Sequence, residues 1–107
     1  RWALPEDIEP LRAAMQKISQ GEADLALFTN GAQVDHLFRV AAYDKAEDSL
    51  RQAISKIVIA SVGPVCTQVL EQFGLKPDLE PAHPKMGSLI AEVAASAHRI
   101  LAAKRAV

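Results

Sequence analysis

Hydrophobic positions along this chain follow two periods that alternate from the first residues to the last. Apolar residues spaced by three and four, which predict amphipathic helices, occupy five segments: 5–20, 32–41, 44–55, 65–73 and 86–104. Between them lie two short apolar runs, 23–28 and 57–62, and the second is rich in β-branched residues. Short runs bounded by turn residues are typical of buried parallel strands. The pattern therefore predicts strands and helices in alternation.

This alternation is typical of an α/β domain, a three-layer arrangement in which helices flank a parallel sheet. The whole chain, 1–107, is predicted to form one such domain, with flavodoxin-like topology. Two further strands are weaker: residues 75–80, where Pro77 lacks a donor and favours a sheet edge, and residues 1–4. Three or four strands are few for a sheet that needs both edges covered. We therefore expect the sheet to be incomplete at one edge.

Composition narrows the class of protein without naming a function. Half of the residues are apolar and 23% are charged, with a net charge of -1, so disordered and strongly basic nucleic-acid-binding or membrane-surface proteins are disfavoured. No apolar run is long enough for a membrane helix. The single cysteine, Cys66, cannot form an internal disulfide, which favours the cytoplasm. The three histidines are widely separated, so we expect no metal site.

Candidate binding chemistry lies in the loops that follow the two main strands. Ligands of open α/β sheets bind at the carboxyl ends of the strands, where helix N-termini attract anions. Two loops meet this description, and their candidate ligand-binding residues are Thr29, Asn30 and Gly31 in the first and Ser61, Val62 and Gly63 in the second. Neither loop carries a nucleotide-binding signature, so glycine turns without a ligand remain the simpler alternative.

Five short motifs, in order, resemble the C-terminal half of bacterial uroporphyrinogen-III synthases. They are RWALPED at 1–7, LFTN at 27–30, ASVGPVC at 60–66, GLKPD at 74–78 and HPKMGSL at 83–89. The resemblance covers essentially the whole chain. It implies part of a cyclising lyase that converts hydroxymethylbilane to uroporphyrinogen III, with inversion of ring D and loss of water, in tetrapyrrole and haem biosynthesis. It also implies a two-domain enzyme that needs no metal or organic cofactor.

The same resemblance assigns the two loops to the substrate. In the family, backbone amides of strand-to-helix loops hold the substrate's carboxylates, so Thr29 and Gly63 are the leading binding candidates. Cys66 is the seventh candidate substrate-binding residue, although the family usually has threonine at its position and this departure puts the contact in doubt. Thr67 is a candidate replacement hydroxyl. The tyrosine proposed as the family's proton donor precedes Arg1 in motif order, so the catalytic residues of this chain stay unassigned.

Family members complete this domain with the first strand and helix of the whole polypeptide, and the present chain lacks both. We therefore expect the chain alone to be inactive, and its open sheet edge to be covered by a second copy in a homodimer. Three other interpretations remain open: a non-catalytic ligand-binding or regulatory module, a flavodoxin-like or receiver-type domain, and a structural fragment without a ligand. The receiver interpretation requires an acidic cluster and a lysine that the sequence does not show.

Overall fold

The computed structural model describes residues 3–106. Within this range the chain forms five helices and two strands, and each strand lies between helices in the chain. In order these are α1 (Glu9–Ser19), β1 (Leu25–Phe28), α2 (Gly31–Tyr43), α3 (Glu47–Ile54), β2 (Val58–Ser61), α4 (Pro64–Gln72) and α5 (Met86–Arg105). Every helix and both main strands predicted from the hydrophobic pattern are present, with ends shifted by a few residues.

The two strands pair in parallel, as predicted for an α/β domain. Leu25 lies opposite Val58 and Phe28 lies opposite Ser61, so the four residues of β1 match the four of β2. The backbone N–H of Val58 donates to the Asp24 carbonyl, and that of Val62 donates to the Phe28 carbonyl. Both strands therefore end at the same side of the sheet, and the loops that follow them lie next to each other.

The sheet is smaller than predicted because the segment 75–80 does not form a strand. Of that segment only Leu79 makes a bridge, to Ala60, and this bridge is parallel and isolated. Pro77 supplies no donor, and the Ile59 N–H of β2 donates to the Asp78 side chain rather than to a backbone carbonyl. The predicted fourth strand at 1–4 is not formed at Ala3 and Leu4, and its first two residues lie outside the described range.

The main core lies between one face of the sheet and helices α1 to α4. Ala26, Phe28, Ile57 and Ile59 contribute the strand side chains to it, and the largest fully buried helix residue is Phe38. The Phe38 ring stacks on Phe73 at 4.9 Å between centroids, with the Arg51 guanidinium 4.8 Å above it. Alternate residues of β2 point to the opposite face, because side chains alternate along a strand.

Helix α5 covers that opposite face incompletely. Val58 and Ala60 are fully buried there and Leu89 of α5 is 0% exposed, but Leu89 is the one buried residue that the structure shows for this 20-residue helix. Ile90 on the same helix is 55% exposed. No helix of residues 3–106 is long and apolar enough to cross a lipid bilayer.

Candidate functional site

A cavity of about 270 Å³ lies where the carboxyl ends of the two strands meet the following helices. It brings together six of the seven predicted binding residues, and two prolines and a valine complete its wall. The lining residues are Thr29, Asn30, Gly31, Val62, Gly63, Pro64, Val65, Cys66 and Pro84. Ser61, the seventh predicted residue, is fully buried behind this wall. Two loops that are more than 30 residues apart in sequence therefore form one site, because the strands before them are parallel neighbours.

The first loop is held by reciprocal side-chain contacts at the start of α2. Asn30 caps the helix, and its Oδ1 accepts a hydrogen bond from the Gln33 N–H at 3.0 Å. The Gln33 side chain reaches back, and its Oε1 accepts from the Thr29 N–H at 2.7 Å. The Thr29 amide is therefore occupied within the protein. The amides of Gly31 and Ala32 make no hydrogen bond among residues 3–106, so they are the free donors of this loop.

The second loop begins α4 and has no side-chain cap. Pro64 occupies the first helical position, where its missing N–H has no helical partner to lose. The Val65 and Cys66 amides follow it and donate to no acceptor among the described residues. Gly63 itself is extended, with φ of -177°, so its conformation does not require glycine. The space around Gly63 does require glycine, because a Cβ added there would lie 2.6 Å from the Pro84 Cβ.

Polar side chains of the second loop face the protein rather than the cavity. The Ser61 hydroxyl donates to the Gly63 carbonyl at 3.0 Å, and the buried Cys66 thiol is directed to the Phe28 carbonyl at 3.6 Å. The Thr67 hydroxyl contacts Ser61 Oγ at 2.9 Å and the Glu80 carboxylate, and Thr67 does not line the cavity. Thr67 is therefore not the replacement hydroxyl that the sequence suggested.

A family model described as uroporphyrinogen-III synthase HemD matches residues 2–91. The chain belongs to the uroporphyrinogen-III synthase family. Among curated proteins it is 28% identical, over 96 residues, to a Methanothermobacter thermautotrophicus protein described as "Putative uroporphyrinogen-III synthase", covering 90% of this chain and 37% of that protein. The fold also matches the crystal structure of uroporphyrinogen III synthase from the thermophilic bacterium Thermus thermophilus, with a TM-score of 0.75 and 26% identity over 89% of this chain and 37% of that one.

The chain therefore spans little more than a third of the synthase-family proteins it matches. Within that third, the α/β class and the family predicted from the motifs are confirmed. Sequence reasoning missed Pro84 as part of the cavity, although the HPKMG run that contains it was one of the family motifs. No local feature of the sequence pairs Pro84 with Gly63; the fold brings them together, and a Cβ at Gly63 would lie 2.6 Å from the Pro84 Cβ.

Titratable groups add little chemistry to the cavity. Among residues 3–106 no three histidine, cysteine, aspartate or glutamate side chains are grouped so that they could hold a metal ion. The lining side chains include no carboxylate, lysine or arginine. Three residues that line the cavity, Gly31, Val65 and Cys66, have backbone amides without a partner among residues 3–106, and they belong to two helix N-termini. That set of donors suits anions.

Proposed function

We propose that this chain is the C-terminal part of a uroporphyrinogen-III synthase, which cyclises hydroxymethylbilane to uroporphyrinogen III with inversion of ring D and loss of water. The observation that carries the proposal is the pair of helix N-termini meeting at one cavity in a chain of this family. Three free amides at the cavity and two helix dipoles favour a polycarboxylate substrate, because carboxylates accept hydrogen bonds from N–H groups at helix N-termini.

In this proposal the chain binds and orients the substrate, and it supplies no acid or base group. No side chain that lines the cavity has a carboxylate or an imidazole. Rate enhancement would then come from holding the flexible linear tetrapyrrole in a cyclisable conformation, a positioning effect. No metal or organic cofactor takes part. The remaining two thirds of the enzyme would supply the opposing wall of the cleft, so the 107-residue chain alone is inactive.

The location and assembly of the protein belong to the same proposal. A buried thiol without a disulfide partner suits a reducing cytoplasm. The outward backbone groups of Leu25 and Leu27 in β1 make no hydrogen bond within residues 3–106. In the isolated chain a second copy would pair with this edge. In the whole enzyme the edge would take the first strand of the polypeptide, as the family resemblance implies.

The direct test is turnover of freshly generated hydroxymethylbilane by the full-length polypeptide and, separately, by the 107-residue chain. We expect the type III ring isomer from the full-length protein and only the spontaneous type I isomer from the chain. Type I alone from both proteins would contradict the synthase proposal. It would favour a non-catalytic binding module, an interpretation that the buried Cys66 at a position where the family usually has threonine also supports.

A matched pair of glycine variants tests whether the cavity is the site. Gly63→Ala places a methyl group 2.6 Å from the Pro84 Cβ and must displace the wall, whereas a Cβ at Gly87 meets nothing within 4 Å. In the full-length protein we expect Gly63→Ala to lower kcat/KM by about tenfold or more, since small displacements at a positioning site are costly. Gly87→Ala should leave kcat/KM unchanged. Equal activity of the two variants would place the site elsewhere.

A further inference from the structure

Behind the cavity, a chain of hydroxyl groups connects the surface to the Gly63 carbonyl. It begins at the exposed Glu80 carboxylate, which contacts the Thr67 hydroxyl, and continues to Ser61 Oγ at 2.9 Å. Ser61 is 0% exposed, and its hydroxyl lies 3.0 Å from the Gly63 oxygen. Each hydroxyl has one proton, and Ser61 donates its proton to the Gly63 oxygen. The Thr67 proton can then be donated to Ser61 Oγ or to the Glu80 carboxylate, but not to both, so Glu80 competes with Ser61 for it.

Thr67 fixes the Gly63 carbonyl by two routes. Its own backbone N–H donates to the Gly63 oxygen at 3.0 Å as the first bond of α4, and its hydroxyl holds Ser61, which donates to the same oxygen. A carbonyl with two donors has little freedom to rotate. Because the peptide unit is planar, fixing this oxygen fixes the Gly63–Pro64 peptide and hence the direction in which α4 starts.

On its other side the same glycine is held by packing. Pro84 lies so close to Gly63 that no Cβ would fit between them. The loop is thus held by hydrogen bonds behind and by a proline in front, and the Val65 and Cys66 amides follow directly. Neither Thr67 nor Glu80 lines the cavity, so their effect on a ligand must pass through the loop.

We propose that Thr67 is a positioning residue that fixes the Gly63 peptide and so directs the free amides of Val65 and Cys66 into the cavity. This inference rests on the proposed substrate-binding function of that cavity. It assigns a role to a hydroxyl that faces away from the ligand. The role predicts that ground-state binding suffers when the hydroxyl is removed, while the chemical step, in which Thr67 takes no part, does not.

The test compares Thr67→Val, Thr67→Ser and Glu80→Ala with Ser55→Ala in the full-length protein. Ser55 is the matched control, because its hydroxyl also donates to a backbone carbonyl, that of Gln52, but at the end of α3. We expect Thr67→Val to raise KM for hydroxymethylbilane about five- to tenfold, the effect of losing one or two hydrogen bonds, with kcat within about twofold. Thr67→Ser should restore KM, and Glu80→Ala, which leaves the Thr67 proton to Ser61 alone, should not raise it.

Amide hydrogen exchange of the peptide that contains position 67, whose N–H donates to the Gly63 carbonyl, gives a readout that needs no turnover. Exchange in this peptide should be faster in Thr67→Val than in the wild type and unchanged in Thr67→Ser and Ser55→Ala. If Thr67→Val leaves both KM and exchange unchanged, or if Thr67→Ser is as impaired as Thr67→Val, the positioning role is wrong. If the wild type forms no type III isomer, the proposed function fails, and the exchange comparison still decides the role of Thr67.

Discussion

The two edges of the sheet differ sharply. At the outer edge of β2, the Ile59 N–H donates to the Asp78 carboxylate at 2.8 Å and the Ile59 carbonyl accepts from the Asp78 amide at 2.7 Å. Lys104 from α5 donates to the Ile57 carbonyl and to Asp78, at 2.6 and 2.7 Å. At the outer edge of β1, the backbones of Leu25 and Leu27 have no such partners among the described residues.

The difference shows how far this chain can stabilise its own sheet. Side chains and a single bridge close the β2 edge without a third strand. Beside the β1 edge there is instead a groove of about 350 Å³, and its lining includes Leu11, Ala14 and Lys17 of α1. Unpaired strand edges of this kind take up another strand. The incomplete edge expected from the sequence is therefore the edge of β1.

Proline substitution in β1 tests the comparison with the largest expected effect. Val58 and Val62 donate to the carbonyls of Asp24 and Phe28, so the even-numbered residues of β1 have their backbone groups directed toward β2. Ala26→Pro removes one of these amides. It should therefore lower the free energy of unfolding by about 3 kcal/mol or more and prevent folding. The Leu27 N–H is directed away from β2, so the free energies of unfolding of Leu27→Pro and Leu27→Ala should agree within about 1 kcal/mol. Urea unfolding followed by circular dichroism gives both comparisons. A much larger loss for Leu27→Pro than for Leu27→Ala would mean that the edge is already paired.

Removal of the Asp78 side chain should open the β2 edge. In Asp78→Ala the Ile59 amide loses its acceptor and the Lys104 ammonium keeps only the Ile57 carbonyl, both in a half-buried place, so we expect unfolding to require about 2–3 kcal/mol less. Asp24→Ala is the matched control, because Asp24 also pairs with a basic residue of α5, Arg105, but is 70% exposed. The loss of unfolding free energy in Asp24→Ala should stay below about 1 kcal/mol. Equal urea midpoints for the two variants would contradict the special role of Asp78.

Self-association of the isolated chain should involve the open edge and not the closed one. Multi-angle light scattering over a concentration series should show a rising mass for the wild type. Leu27→Ala, which keeps the outward amide, should behave similarly, whereas Leu27→Pro should remain monomeric. The rise in mass should be modest, because β1 offers an edge of four residues to a second copy. A wild type that stays monomeric at the highest concentration would exclude pairing by a second copy.

The contrast between the edges also shows what the sequence could predict. Local patterns predicted the helices and both strands, because these depend on residues close in sequence. The ion pair between Asp78 and Lys104 joins residues 26 positions apart in the sequence, and the spacing of hydrophobic residues does not indicate it. The same holds for the Thr67 and Glu80 contact behind the cavity. The pair of Asp44 with Arg12 of α1 is likewise a contact between residues far apart in sequence.

That ion pair gives the smallest predicted effect and refines the picture of the open edge, since it joins α2 to the helix that borders the groove. Arg12 donates to both carboxylate oxygens of Asp44, at 2.7 and 3.0 Å, and this hydrogen bonding holds the pKa of Asp44 below its ordinary value. A carboxyl whose pKa is lowered by folding stabilises the protein above its unfolded pKa, about 3.9 for aspartate, and that contribution disappears as pH falls through the folded value.

Asp44→Asn should therefore melt slightly below the wild type at about pH 7, and the two melting temperatures should converge as the pH falls below about 4. Glu22→Gln is the control, because Glu22 is exposed and makes no ion pair within the described part of the chain. Melting temperatures measured by circular dichroism between about pH 7 and 3 give the comparison. A constant difference at all pH values would show that Asp44 acts through packing, and that α1 is held beside the open edge by apolar contacts alone.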